Sequence, residues 1–173
     1  TISVTDGSLA ATTVQASGSN GLFSVSGGTV NLANLQITGA YGAIANSGGV
    51  VTVTTDARVA TANAVWNISG GTLNLPKFTI GSAASNNTNN VVTVSGNAVV
   101  TQTQGTGGGA NRELWIGGNN AGSGTLILKD NATWTNSAAS GSTDVIIGRA
   151  AGAGQAPVGV LTIQDNASMV VQS

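Results

Sequence analysis

The sequence predicts an all-β chain wound as a single-stranded parallel β-solenoid, with about six full three-strand coils and a partial seventh. Three observations carry this prediction. A turn pair returns at a nearly fixed interval, as Asp6-Gly7, Gly27-Gly28, Gly48-Gly49, Gly70-Gly71, Gly96-Asn97, Asp130-Asn131 and Asp165-Asn166, at steps of 21, 21, 22, 26, 34 and 35 residues. A repeat at such a period is one supersecondary unit being stacked. Two apolar columns keep register with that turn, two and four residues ahead of it, and a period of two marks one face of a strand. Helix signals are nearly missing, since β-branched residues, Gly and Asn dominate and all are poor helix formers. Equivalent strands recur at about 21 residues rather than at the ~8–12 of antiparallel sandwiches, which favours stacked coils.

The first strand of each unit supplies both columns. One contains Val4, Val25, Asn46, Ile68, Val94, Leu128 and Ile163; the other contains Ile2, Phe23, Ile44, Trp66, Val92, Leu126 and Leu161. Asn46 is the one amide in an apolar column. A buried amide needs partners, so either it bonds along the stack axis or its coil is shifted by one residue. Gly and Asn share the following turn because both tolerate left-handed backbone angles.

A second strand follows the turn. Its inward pairs are Leu9/Ala11, Val30/Leu32, Val51/Val53 and Leu73/Leu75, and in the late repeats the parity slips by one to Ala98/Val100, Ala132/Trp134 and Ala167/Met169. A third strand closes the unit with Val14/Ala16, Leu35/Ile37, Ala57/Val59, Phe78/Ile80, Leu114/Ile116 and Val145/Ile147. At ~4.8 Å between strands the stack is about 30 Å tall.

Residues 1–173 read as one domain, with short coils over 1–90 and longer coils over 91–173. The added length falls at two corners. It lies between strands two and three at 104–111 and 138–143, and after strand three at 82–90, 118–124 and 150–157. Insertions at fixed corners leave a solenoid core untouched, because coils contact only their neighbours. No cap is evident at either end, so both ends offer unpaired strands to a continuing chain or to another copy.

Composition limits function. The chain has 173 residues, of which only 11 are charged, with a net charge of −1. There is no basic footprint for nucleic acid and no apolar run near the ~18 residues of a membrane span. Cysteine and histidine are absent. That removes a disulfide frame and thiolate metal sites, and it removes the base of a nucleophilic triad. Export of an unfolded chain would favour such a lack of cysteine.

The late half, from about Asn90 to Ser173, resembles the passenger-associated transport repeat of bacterial autotransporters. The matching words are Leu114-Trp115-Ile116-Gly117, Gly124-Thr125-Leu126-Ile127, Asn131-Ala132-Thr133-Trp134-Thr135, Val145-Ile146-Ile147-Gly148 and Gly159-Val160-Leu161-Thr162-Ile163. The early half is similar to the shorter coils of autotransporter adhesins, as in Ser69-Gly70-Gly71-Thr72-Leu73-Asn74-Leu75. The resemblance implies a right-handed β-helix displayed outside the cell, on the bacterial surface, often for adhesion or self-association. It supplies no catalytic residue.

Four residues stand out as possible surface contacts: Trp115, Arg112, Asp130 and Asp165. Trp115 alternates against Leu114 and Ile116 and so faces out, beside Arg112. Either it stacks on a sugar or a partner, or a loop covers it. Asp130 and Asp165 hold equivalent slots in adjacent coils. Such a pair could hold a cation, but aspartate before asparagine is a common turn residue, and the turn is favoured. Asp56 and Arg58 share one outward strand, while Arg112-Glu113, Lys129-Asp130 and the Asp144/Arg149 pair are expected to be solvated.

The expectation is a non-enzyme with no cofactor and no metal: a structural or adhesive segment of a secreted bacterial surface protein. Its partners would be another copy of itself or a host or neighbouring-cell surface, with glycans as a further class. A fibre subunit stacking end to end is the alternative. A carbohydrate-binding or polysaccharide-cleaving β-helix is the second alternative.

Overall fold

A computed structural model of the chain describes residues 1–81, 88–102, 113–118, 122–137, 144–149 and 156–172. The predicted insertions at 82–90, 104–111, 118–124, 138–143 and 150–157 fall mostly outside these residues. The described residues form strands and no helix: β1 (Ile2–Val4), β2 (Ser8–Ala16), β3 (Leu22–Val25), β4 (Thr29–Ile37), β5 (Ala43–Asn46), β6 (Val50–Val59), β7 (Val65–Ile68), β8 (Thr72–Leu75), β9 (Phe78–Ile80), β10 (Asn90–Val94), β11 (Val99–Gln102), β12 (Leu114–Gly118), β13 (Ser123–Leu128), β14 (Thr133–Ser137), β15 (Val145–Arg149), β16 (Val158–Ile163) and β17 (Ser168–Gln172).

These strands make two parallel sheets that close nearly into a barrel, consistent with a solenoid. The first sheet has the order β1-β3-β5-β7-β10-β13-β16. Its registers reproduce both predicted columns. Val4 pairs with Val25, Val25 with Asn46, Asn46 with Ile68, Ile68 with Val94, Val94 with Leu128 and Leu128 with Ile163. Phe23, Ile44, Trp66, Val92 and Leu126 form the other file, all buried. Parallel pairing places like over like, so each apolar side chain is removed from water by the coils on either side. Such burial contributes about 25 cal/mol per Å².

In the second sheet the early coils depart from the three-strand expectation. β2, β4 and β6 each run nine or ten residues without a break, so strands two and three are one element there. The corner survives as an irregularity between Leu32 and Asn34 where β4 meets β6. No Gly or Pro interrupts these segments. From the fourth coil on they are separate, and β6 pairs with both β8 and β9. Pro76 stands in that gap; without an N–H it cannot continue the ladder. Beyond it run β8-β11-β14-β17 and β9-β12-β15. The third-strand pairs all hold: Leu35 lies between Val14 and Ala57, and Phe78 between Ala57 and Leu114.

The expected parity slip of the late second strand relative to the turn is present, with Ala98, Val100, Ala132 and Trp134 all buried, but the file aligns on Val100 and Trp134 rather than on Ala98 and Ala132. Leu73 pairs with Val100, Val100 with Trp134, and Trp134 with Met169. The file therefore continues without exchanging faces, and its companion file runs Leu75, Gln102, Asn136, Val171. The extra residue belongs to the turn. In early coils the positive φ falls on the second residue of the pair, at Gly7, Gly28, Gly49 and Gly71; in late coils it falls on the first, at Gly96, Asp130 and Asp165. The late turns then close with an amide bond from Ala98 to Ser95, Ala132 to Lys129 and Ala167 to Gln164. Ala98 and Ala132 are buried at this corner rather than in a strand file.

The Ile-Gly words mark where a third strand's end crosses close to the start of a later first strand. Gly117 has φ of 67°, and a Cβ there would run into the Val158 carbonyl oxygen. A Cβ on Gly159 would run into that of Ile116. Neither position has room for a side chain.

Two buried amides serve the two core tryptophans in the same way. The Trp66 indole N–H donates to Asn46 Oδ1 at 3.1 Å, from the next coil. The Trp134 indole donates to Gln102 Oε1 at 3.0 Å, and Gln102 donates in turn to the Pro76 carbonyl at 2.9 Å. Asn46 thus bonds along the stack, and its coil is not shifted. Phe78 lies between the two indoles, edge-on to Trp66 at 5.2 Å and stacked on Trp134 at 6.0 Å between ring centroids.

Candidate functional site

Five of the chain's eleven charged residues stand along one side. Asp56, Arg58, Lys77, Glu113 and Asp144 are on, or one residue ahead of, third strands in successive coils. Parallel register brings them into line, with Arg58 beside Thr79, Thr79 beside Trp115 and Trp115 beside Ile146. The Phe78 amide bonds to the Glu113 carbonyl and the Leu114 amide to that of Asp144, which continues the ladder one residue earlier.

Two clusters form on this side. Arg58 pairs with Asp56 at 3.2 Å, and Gln36 from the preceding coil donates to Asp56 Oδ2 at 2.8 Å while accepting from Arg58 at 3.2 Å. The second cluster holds Trp115. Its ring points outward as predicted but is only 9% exposed. The indole N–H donates to Glu113 Oε2 at 2.8 Å, Lys77 Nζ lies 3.6 Å from the same oxygen, and that ammonium sits 3.4 Å from the centroid of the indole ring. One face of the tryptophan is therefore occupied by a cation–π contact, worth ~0.5–2 kcal/mol. The expectation that Glu113 is solvated is corrected: it is buried, held by the lysine and the indole. Lys77 and Glu113 are 36 residues apart and meet through the register of β9 with β12, which sets Phe78 beside Leu114. Arg112 lies outside the described residues.

Asp130 and Asp165 are exposed and left-handed, with φ of 61° and 57°. Each carboxylate reaches back one coil to accept an amide N–H. Asp130 Oδ2 takes the Gly96 amide at 2.9 Å, and Asp165 Oδ2 takes the Asp130 amide at 3.2 Å. Beside them Asn97, Asn131 and Asn166 form an amide ladder, with bonds of 3.3 and 3.4 Å. This is turn chemistry that fastens one coil to the next. Among the described residues no group of three or more His, Cys, Asp or Glu could hold a metal ion.

The corner after strand three holds a residue that the sequence reading passed over. Asn20, Tyr41, Asn63 and Asn89 take the same slot in successive coils, all left-handed, with φ of 62°, 59°, 56° and 58°. Asparagine tolerates this conformation; a bulky side chain does so only under strain of ~1–2 kcal/mol. Tyr41 is also 60% exposed, whereas Trp66, Trp134, Phe23 and Phe78 are buried in the core. The signal was present in the spacing: Tyr41-Gly42 stands where Asn20-Gly21 stood one coil earlier.

Compared with protein-family models, curated proteins and solved structures, the chain matches none of them.

Proposed function

We propose that this chain is a non-catalytic structural and adhesive segment of a secreted bacterial cell-surface protein, an autotransporter-like passenger wound as a right-handed parallel β-helix. The observation that carries the reading is the unbroken register of the inward files, which leaves the outer faces free to vary. On those faces short polar side chains bond coil to coil, as Ser24 to Ser3, Asn34 to Thr13 and Asn74 to Thr52. Such a column spaces and displays. The outer side of the second strands, where Asn31, Thr52, Asn74, Thr101 and Thr135 lie in register, carries no charged residue, which suits pairing with the same face of a second copy. The repeat words of the late half support extracellular display.

The test is surface display. Bacteria displaying the chain should clump and settle. Thr52→Lys with Thr101→Lys places two like charges on that outer face and should abolish settling while the circular dichroism spectrum keeps its β signature. Settling that is absent in the parent, or unchanged in the lysine variant, would count against self-association.

The alternative is an extracellular fibre subunit stacking end to end. It draws on Ile2 and Ile163, which are 48% and 46% exposed at opposite ends of the stack. Light scattering separates the two readings, since a fibre subunit grows with concentration and a laterally associating passenger does not elongate.

A further inference from the structure

We infer that Tyr41 and its flanking asparagines form a binding site for a neutral glycan. Three features of the corner meet there. The first is the aromatic ring itself, exposed on a surface where the chain's other aromatic side chains are withdrawn: Trp66, Trp134, Phe23 and Phe78 into the core, Trp115 under Lys77. The second is the neighbourhood that register gives it. Leu22 pairs with Ala43 and Ala43 with Val65, so Asn20 and Asn63 stand one coil to either side of Tyr41, about 4.8 Å away along the stack. Leu22 and Val65, 38% and 37% exposed, extend an apolar shelf from the same corner. The third is the backbone. Tyrosine holds a left-handed conformation that the equivalent Asn20, Asn63 and Asn89 adopt without strain. Strain kept at an exposed position points to a use for the side chain rather than to packing.

The chemistry selects the ligand. A pyranose offers an apolar C–H face to an aromatic ring and hydroxyls at its rim, and side-chain amides both donate to and accept from hydroxyls. A few convergent polar groups around an apolar platform fix such a ligand's orientation. The corner is also without charge. No Asp, Glu, Lys or Arg occurs between Gly7 and Thr55, nor between Val59 and Pro76. Sialylated or sulfated glycans would find no cation there, so the site suits uncharged hexose or N-acetylhexosamine chains. This site goes beyond adhesion by self-pairing and lies on a different face from Thr52 and Thr101, so each can fail alone.

The experiment is an array of neutral and anionic glycans probed with the parent chain, Tyr41→Asn, Asn63→Ala and Trp115→Phe. Tyr41→Asn installs the residue that the neighbouring coils carry in this slot, and its thermal midpoint should equal or exceed the parent's. The parent should retain neutral glycans. Tyr41→Asn should bind them at least tenfold more weakly, Asn63→Ala severalfold more weakly, and Trp115→Phe unchanged. No retained glycan, retention of anionic glycans alone, or binding by Tyr41→Asn within twofold of the parent would overturn the site. So would a loss confined to Trp115→Phe. If Tyr41→Asn fails to fold, undiminished binding by Asn63→Ala overturns it equally.

Discussion

Asn46 sits in a file otherwise filled by Val4, Val25, Ile68, Val94 and Leu128, and it is 3% exposed. An amide there would be costly without a partner, and the Trp66 indole supplies one. The dependence runs both ways, because the indole N–H is itself buried. Asn46→Val should therefore destabilise the chain by about 1–3 kcal/mol, the cost of leaving a buried donor unsatisfied. In a Trp66→Phe background the same substitution should cost markedly less. Chemical denaturation of the four proteins in a double-mutant cycle checks this, and additive costs would show that the bond contributes nothing. The Gln102–Trp134 pair repeats the device two coils later. Asn46 was legible as an exception in its column. Gln102 was not, because the late inward pair read from the sequence is Ala98/Val100, two residues ahead of the Val100/Gln102 pair that aligns with Leu73/Leu75.

At the scale of the element, the turns decide register. Gly28, Gly49 and Gly71 stack with φ of 71°, 72° and 74°. A Cβ on Gly49 would stand 2.7 Å from the Gly28 carbonyl oxygen, whereas one on Gly7, at the end of the stack, meets nothing within 4 Å. Gly7→Ala should cost only the left-handed penalty, ~1–2 kcal/mol, and Gly49→Ala should cost clearly more. Equal thermal midpoints for the two variants would contradict stacked turns. The same turns explain what the sequence concealed. Gly-Gly and Asp-Asn both announce a left-handed residue, but the pair alone does not tell which member adopts it. In the early coils it is the second and in the late coils the first, and the difference is the one residue by which the late second strand slips in parity relative to the turn. The inward columns were legible because a period of two, anchored to a turn, admits one face. The fusion of strands two and three in β2, β4 and β6 also had a signal, the lack of Gly or Pro at their corners, against Pro76 where the split begins. The Lys77–Glu113–Trp115 cluster had a signal too, since Lys77 and Glu113 each stand one residue ahead of Phe78 and Leu114, which the third-strand columns align.

At the scale of the molecule, a coil contacts only its neighbours, so stability is a sum of local layers. The aromatic layer of Trp66, Phe78 and Trp134 lies mid-stack, and the carboxylate and amide ladders at Asp130, Asp165, Asn131 and Asn166 fasten the later coils from outside. The outer faces carry little charge, apart from the third-strand side, which leaves surface chemistry to the loops, the Ser/Thr/Asn face and the Tyr41 corner. All of these assignments depend on which residue lies over which. The absence of native cysteine makes that directly measurable. Cα atoms of directly paired parallel residues fall within the 4.4–6.8 Å that a disulfide spans, whereas residues two positions off register do not. Val50 pairs with Thr72, and Val99 with Thr133, all facing outward. On mild oxidation, Val50→Cys with Thr72→Cys, and Val99→Cys with Thr133→Cys, should each close an intramolecular disulfide. The offset pairs, Val50→Cys with Asn74→Cys and Val99→Cys with Thr135→Cys, should stay reduced. Closure of the offset pairs in preference to the matched ones would contradict the stacked, in-register coils.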